Sequence, residues 1–148
     1  MAILLDTSAL VALLRRHPPA GTENIRDATS SVLHNQAAVL SAITVTELMT
    51  GARDEAGAAR LRKLLDHLPV VGADREVADR AGRLGREARA AGKTLPIADL
   101  LIAATALYLD VALLTCDSDF KRGLSLAEDG GAASAWSGFR LHPASVLN

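Results

Sequence analysis

Four carboxylic acids in the sequence stand at the edges of apolar runs, where ionisable side chains are uncommon. They are Asp6, Glu47, Asp99 and Asp117. Burial at such an edge raises the pKa of a carboxyl and costs free energy unless something compensates. Carboxylates that share one site repel one another, and a hard divalent cation such as Mg²⁺ or Mn²⁺ relieves the repulsion through oxygen ligands. Gathered together, these acids would support metal-assisted hydrolysis.

Each acid taken singly also fits a local structural role. Asp6 can cap the first helix, and the Thr44–Glu47 stretch matches a capping box. Asp99 lies in the first turn of a predicted helix, where the helix dipole favours an anion. Asp117 can shape the turn after a strand. Capping and catalysis therefore both remain open for each residue.

The segments that must position the acids alternate in type. Short apolar runs predict strands over residues 2–5, 37–43, 69–71 and 111–115. Amphipathic stretches predict helices over residues 8–16, 23–35, 44–52, 55–67, 75–91, 96–109 and 119–124. Strands alternating with helices are typical of an α/β fold with a parallel sheet.

In such a sheet the positions of the acids are not random. Three of the four follow predicted strands, and Asp99 opens a helix that leads back into one. The carboxyl ends of parallel strands lie on one edge, and α/β folds place their sites there. Capping predicts no such convergence, so the joint pattern favours a metal site.

Length and composition indicate one folded domain. The chain has 148 residues, of which 49% are hydrophobic and 22% charged, and this balance excludes disorder. We expect a single domain over residues 1–148. The Ala, Gly and Ser-rich segment 125–138 has no periodicity and predicts a flexible loop, and residues 139–148 predict a C-terminal strand and tail.

Cysteine content and charge bound the compartment and the partners. Cys116 is the single cysteine, which excludes an intrachain disulfide and a cysteine zinc site and favours a small buried side chain. A cytoplasmic protein with no membrane association is expected, because no apolar run reaches the length of a signal or membrane segment. A net charge of −1 argues against strong, nonspecific binding of polyanions.

Four segments together resemble the PIN-domain ribonucleases, and within them the VapC-type toxins of bacterial toxin–antitoxin pairs. They are residues 4–10 (LLDTSAL), 41–48 (SAITVTEL), 95–106 (LPIADLLIAATA) and 114–120 (LTCDSDF). The order and spacing of the four match the family. The resemblance implies a three-layer PIN-like fold with a short, mostly parallel central sheet flanked by helices.

The resemblance also implies a site and a function. Asp6, Glu47, Asp99 and Asp117 correspond to the acidic quartet that binds Mg²⁺ or Mn²⁺, with Asp119 as an auxiliary acid and Thr7 and Thr115 bracing the site. The implied activity is a metal-dependent endoribonuclease toxin. Its implied partners are a small VapB-like antitoxin covering the acidic groove and a second copy in a homodimer.

RNA must also be held by its backbone, which calls for basic side chains. The sequence offers Arg15 and Arg16 at the end of the first helix and Arg83 and Arg86 on a strongly basic helix. A solvated helix face is the alternative for each of them.

Two other functions fit the same acids. A different metal-dependent phosphoryl hydrolase is one, although such enzymes pair a nucleophilic Asp with a nearby Lys that this sequence does not offer after a strand. A non-catalytic α/β interaction module, whose acids only cap helices, is the other.

Overall fold

The computed structural model describes residues 1–145 and shows a three-layer α/β fold. A parallel sheet lies between two layers of helices, which confirms the predicted fold class. In chain order the elements are β1 (Ile3–Leu5), α1 (Thr7–Leu14), α2 (Glu23–His34), β2 (Ala38–Ser41), α3 (Ala42–Thr50), α4 (Glu55–Leu65), β3 (Val70–Val71), α5 (Arg75–Ala90), α6 (Ile97–Leu109), β4 (Ala112–Leu114) and α7 (Phe120–Gly130), followed by a 3₁₀ turn (Gly131–Ala133).

The strand order places a topological switch point in the centre of the sheet. The order is β3-β2-β1-β4, and each neighbouring pair is parallel. From β1 the chain moves to one side for β2 and β3 and then crosses to the other side for β4. A crevice opens outside the carboxyl ends of the strands at such a point. The fold therefore predicts a site at the ends of β1 and β4.

Alternating strand residues supply the two cores on either side of the sheet. Leu4 and Leu113 face the layer formed by α5, α6 and α7. Leu5 and Leu114 face the layer formed by α1 to α4. All four are completely buried. This period of two along the short strands is what a sheet covered on both faces requires.

The basic helix α5 ends where the sequence indicates. Gly92 adopts the left-handed conformation with φ 70° directly after the helix. Its N–H donates to the Arg89 carbonyl at 3.0 Å, and the Lys93 N–H donates to the Ala88 carbonyl at 2.8 Å. This pair of bonds is a Schellman motif, which favours glycine because a Cβ is strained at positive φ.

The prediction of a flexible loop over residues 125–138 is wrong. Helix α7 continues through Gly130, and Trp136 is completely buried and donates its indole N–H to the Leu84 carbonyl at 3.2 Å. Gly123, just before this segment, allows close packing: a Cβ there would lie 2.3 Å from Cζ3 of Trp136. Leu126, Ala127 and Glu128 favour the helix, and the buried Trp136 orders the residues that follow it.

The predicted C-terminal strand is reduced to a single parallel bridge between Leu113 and Leu141. Its hydrogen bonds run from the Leu113 N–H to the Arg140 carbonyl and from the His142 N–H to the Leu113 carbonyl. The ladder goes no further because the next two N–H groups donate to side chains: Thr115 N–H to Ser145 Oγ at 3.2 Å and Ala144 N–H to His142 Nδ1 at 3.0 Å. The last part of the predicted tail, residues 146–148, lies outside the described residues.

Within residues 1–145, no helix has the length and apolar character needed to cross a membrane.

Candidate metal centre

Asp6 is the most elaborately supported acid at the switch point. Its carboxylate is 4% exposed, and its Oδ2 accepts hydrogen bonds from Ser8 Oγ and from Thr115 Oγ1, both at 2.7 Å. Burial raises the pKa of Asp6. The hydrogen bonds from these hydroxyls and from the Thr7 backbone lower the pKa, but they offset only part of the effect of burial. Asp6 stands at the N-cap position of α1 but makes no capping bond through its side chain. The capping alternative therefore does not explain its carboxylate.

The two hydroxyls that hold Asp6 also tie β1 to the loop after β4. Thr115 Oγ1 accepts from the Asp117 N–H at 2.9 Å, and Ser8 Oγ accepts from the Cys116 N–H at 3.0 Å. Each hydroxyl thus accepts a hydrogen bond from a backbone N–H and donates one to the same oxygen of Asp6. Sequence reasoning considered Ser8 only as a helix cap and gave it no role in the site, although a hydroxyl two residues after the acid can reach back to it.

Glu47 reaches the cleft from the middle of α3. The capping-box alternative for Thr44 and Glu47 is wrong, because α3 already begins at Ala42 and is capped by Ser41 Oγ, which accepts from the Ile43 N–H. Instead, Glu47 Oε1 accepts a hydrogen bond from Thr7 Oγ1 at 2.7 Å. This bond brings together two side chains that are 40 positions apart in the sequence.

Asp99 is the acid of the cluster with a buried carboxylate oxygen that no protein group hydrogen-bonds, among the described residues. Its side chain is 8% exposed, and among the described residues its Oδ2 is buried without a hydrogen-bond partner. Burial raises the pKa of Asp99 to about 7, and repulsion from Asp117, Asp6, Asp119 and Glu47 adds to the effect. A buried oxygen without a partner normally signals a ligand, an ion or a water.

Asp117 and Asp119 follow β4 and complete the acidic cluster. One carboxylate oxygen each from Asp99, Asp117 and Asp119 lies within 4.8 Å of the others, close enough to share a metal ion. Asp117 Oδ1 also accepts the Asp119 N–H at 2.9 Å. Asp6 lies outside this triplet, which here includes the auxiliary acid Asp119.

All four quartet acids line one cleft of about 350 Å³. Thr7, Ser8, Arg15 and Cys116 are among its other lining residues. Cys116 is half-buried in the cleft wall rather than fully buried as expected. The donors are hard oxygens, a set that suits Mg²⁺ or Mn²⁺ rather than a soft metal. Together with the unpartnered oxygen of Asp99, they fit a divalent cation.

The four arginines expected to hold RNA lie in different places. Arg15 lines the acidic cleft, and Arg16 is exposed beyond the end of α1. Arg83 forms an ion pair with Asp79 at 3.1 Å on the surface of α5. Arg86 lines a separate groove of about 340 Å³ between α5 and α6. The structure therefore brings only Arg15 of this set into the cleft that holds the acids.

The chain belongs to the PIN domain family, which matches residues 3–123. PIN domains are generally nucleases. The match covers every acid of the cluster and ends inside α7.

Solved structures support the same assignment. The chain is 26% identical to FitAcB from Neisseria gonorrhoeae, with a TM-score of 0.68 over 95% of this chain and 97% of that chain. It is 26% identical to VapBC-1 from nontypeable Haemophilus influenzae, with a TM-score of 0.67 over 84% and 94%. VapBC2 from Rickettsia felis, solved with a promoter DNA fragment, shares the fold at 22% identity and a TM-score of 0.70 over 96% and 98%. No curated protein matches the chain.

Proposed function

We propose that this PIN domain protein is a metal-dependent endoribonuclease that hydrolyses RNA phosphodiesters and acts as the toxin of a toxin–antitoxin pair. The buried Oδ2 of Asp99, unpartnered among the described residues and set beside Asp117 and Asp119, carries the proposal. A structural carboxylate normally finds donors, whereas a metal ligand keeps an oxygen free. The solved toxin–antitoxin structures that resemble the chain support the toxin role.

In this mechanism Asp6 and Asp99 are direct ligands of Mg²⁺ or Mn²⁺. Glu47 and Asp117 complete the site or bind through waters, and Asp119 is auxiliary. When bound, the cation lowers the pKa of water and stabilises charge on the non-bridging phosphate oxygens.

The surrounding side chains orient these acids. The hydroxyls of Ser8 and Thr115 fix one oxygen of Asp6 and set the direction of the other. The bond from Thr7 fixes Glu47, to which we assign the orientation of the attacking water.

RNA is proposed to bind through its backbone at Arg15, Arg16, Arg83 and Arg86. Arg15 has the strongest support because it lines the cleft that holds the acids. Arg83 has the weakest, because Asp79 already pairs with it. The near-zero net charge favours selective over nonspecific binding.

A cognate antitoxin is the proposed regulator. A solved structure from Klebsiella pneumoniae that is 27% identical to the chain is a toxin–antitoxin complex, and VapBC-5 from Mycobacterium tuberculosis belongs to the VapBC family of toxin–antitoxin systems. We propose that a small VapB-like antitoxin covers the acidic groove of this chain, that the chain forms a homodimer, and that both act in the cytoplasm.

A cleavage assay tests the activity. The purified full chain is expected to cleave labelled RNA internally when Mg²⁺ or Mn²⁺ is present and to stop when EDTA is added. Asp6→Asn should reduce the rate at least 100-fold with the fold intact by circular dichroism, because several kcal/mol of transition-state stabilisation depend on the cation. Asp27→Asn, at an exposed acid of α2, is the matched control and should cleave normally.

The same assay separates the alternatives. A phosphoryl hydrolase of another type would release phosphate from a monoester and leave RNA intact, and an interaction module would do neither. Full activity of Asp6→Asn would contradict the metal assignment.

Thr115 offers a milder test of the support around Asp6. Thr115→Val removes the hydroxyl that Asp6 Oδ2 accepts and leaves the Asp117 N–H without an acceptor. We expect cleavage to fall about 10- to 100-fold, the usual cost of losing a group that orients a metal ligand. Thr115→Ser should retain most of the rate. Thr29→Val, at a buried threonine that bonds only its own helix, serves as the control in the same assay.

A further inference from the structure

Arg122 lies at the border of the acidic cluster, in the first turn of α7. Its Nη1 is 3.0 Å from Asp119 Oδ1 and donates to the Thr94 carbonyl at 3.2 Å. Of the six ion pairs among residues 1–145, this is the one that joins a cation to an acid of the Asp99, Asp117 and Asp119 triplet. The contact fixes a guanidinium group beside the candidate metal centre.

Both contacts use the same nitrogen of Arg122. Nη1 donates a hydrogen bond to the Thr94 carbonyl and forms an ion pair with Asp119. Among residues 1–145 the bond to Thr94 is the one hydrogen bond that the guanidinium makes, so Nε and Nη2 are free, and the side chain is 45% exposed. The Nε and Nη2 edge is the fork that binds two oxygens of a phosphate or carboxylate side by side. Arg122 is therefore anchored by one nitrogen while its recognition edge stays open.

The negative charge of the acidic cluster calls for a cation such as Arg122 wherever a phosphate is to bind. A phosphodiester that approaches five acids is repelled unless positive charge accompanies it. Arg15 lines the cleft from the end of α1, and Arg122 lies in α7 beside Asp119.

We propose that Arg122 binds a phosphate of the RNA strand at the acidic cluster, through its Nε and Nη2 edge, while Nη1 stays on Asp119 and Thr94. This inference rests on the proposed ribonuclease function for its ligand. It assigns Arg122 as a substrate-binding residue that positions the strand over the acids. Sequence reasoning missed Arg122, and the spacing of three residues after Asp119 is the signal that could have found it.

RNA binding measured by fluorescence anisotropy tests the contact. The full chain carries Asp99→Asn so that a 5′-labelled single-stranded RNA is not cleaved, and the dissociation constant is measured between roughly 50 and 200 mM salt. Adding Arg122→Gln should weaken binding roughly tenfold and make the logarithmic salt slope shallower by about 1. Arg122→Lys should keep the slope but not the full affinity, because it retains the charge and loses the fork.

Arg62→Gln is the matched control, since Arg62 is also exposed and ion-paired, with Glu55 at 2.6 Å. It should leave affinity and slope unchanged. A lower melting temperature for Arg122→Gln with an unchanged slope means that Arg122 only holds Asp119 and Thr94, and it overturns the proposal. Absence of RNA binding by the parent variant overturns it too.

The cleavage assay keeps this inference apart from the proposed function. If the wild-type chain cleaves RNA but the slopes of the Gln and parent variants coincide, the Arg122 contact is wrong and the ribonuclease stands. If the slopes differ and the wild-type chain cleaves no RNA, the contact stands and the ribonuclease assignment is wrong.

Discussion

Asp99→Asn is expected to abolish RNA cleavage and, in EDTA at pH 8, to melt at a higher temperature than the wild-type chain. The folded state raises the pKa of this carboxyl from 3.8 to about 7. The protonated carboxyl is therefore compatible with folding below about pH 4. This stability is lost as the pH rises through 7, because the folded state must then bury an ionised carboxylate that has no partner among the described residues. Asparagine carries no such charge, so the gain at pH 8 should be roughly 5 °C.

The pH dependence and the effect of metal provide the measurement. Differential scanning fluorimetry in EDTA should show the wild-type chain losing stability between pH 5 and pH 8. Asp99→Asn should lose less, with a remainder from Asp6, whose pKa burial also raises. Mg²⁺ or Mn²⁺ should stabilise the wild-type chain at pH 8 and have little effect on the variant, because a ligand stabilises the state that binds it. A variant that melts below the wild type at pH 8 in EDTA would contradict the assignment.

Trp136→Ala is expected to cause the largest loss of stability. The side chain is completely buried, packs edge-to-face on Phe139 with centroids 5.2 Å apart, and donates to the Leu84 carbonyl. Truncating a buried tryptophan costs about 4 kcal/mol, because its contacts are lost and a cavity is left. The melting temperature should fall by roughly 10 °C. Tyr108→Ala, at an aromatic residue that is 41% exposed, should change it little.

Gly123 supplies a second test of the same packing. Gly123→Ala should be strongly destabilising, because its Cβ would lie 2.3 Å from the indole ring. In a Trp136→Ala background the same change should cost much less, since the ring is gone. Denaturant unfolding of the two single variants and the double variant measures the coupling. Additive losses would mean that the ring does not occupy this position.

The sequence predicted what local pattern determines. Asp6 and Asp117 were found because an apolar strand precedes each, and the end of such a strand lies at a defined edge of a parallel sheet. Residues 75–91 were found because a strong 3.6-residue period and Gly92 delimit them. The fold class follows from the same alternation of short runs and amphipathic stretches.

What the sequence did not predict depends on distant contacts. Residues 125–138 show no clear period and contain several glycines, and their order comes from Trp136 reaching Leu84, 52 positions away. Ser8 received no role in the site because its backbone donor belongs to Cys116, 108 positions away. Glu47 matched a capping box locally, and only the actual start of α3 at Ala42 decides against it. Local propensity and residue spacing carry no information about contacts between residues so far apart in the sequence.

The hydrogen bond from Thr115 to Asp6 joins residues 109 positions apart, and it has a consequence for synthesis. On the ribosome the chain emerges from its N-terminus, so Asp6, Glu47 and Asp99 are all exposed before β4 exists to lie beside β1. Until residues 112–119 leave the exit tunnel, the acids lack Asp117, Asp119 and the hydroxyl that orients Asp6. The candidate metal centre is therefore incomplete in a nascent chain until this segment has emerged.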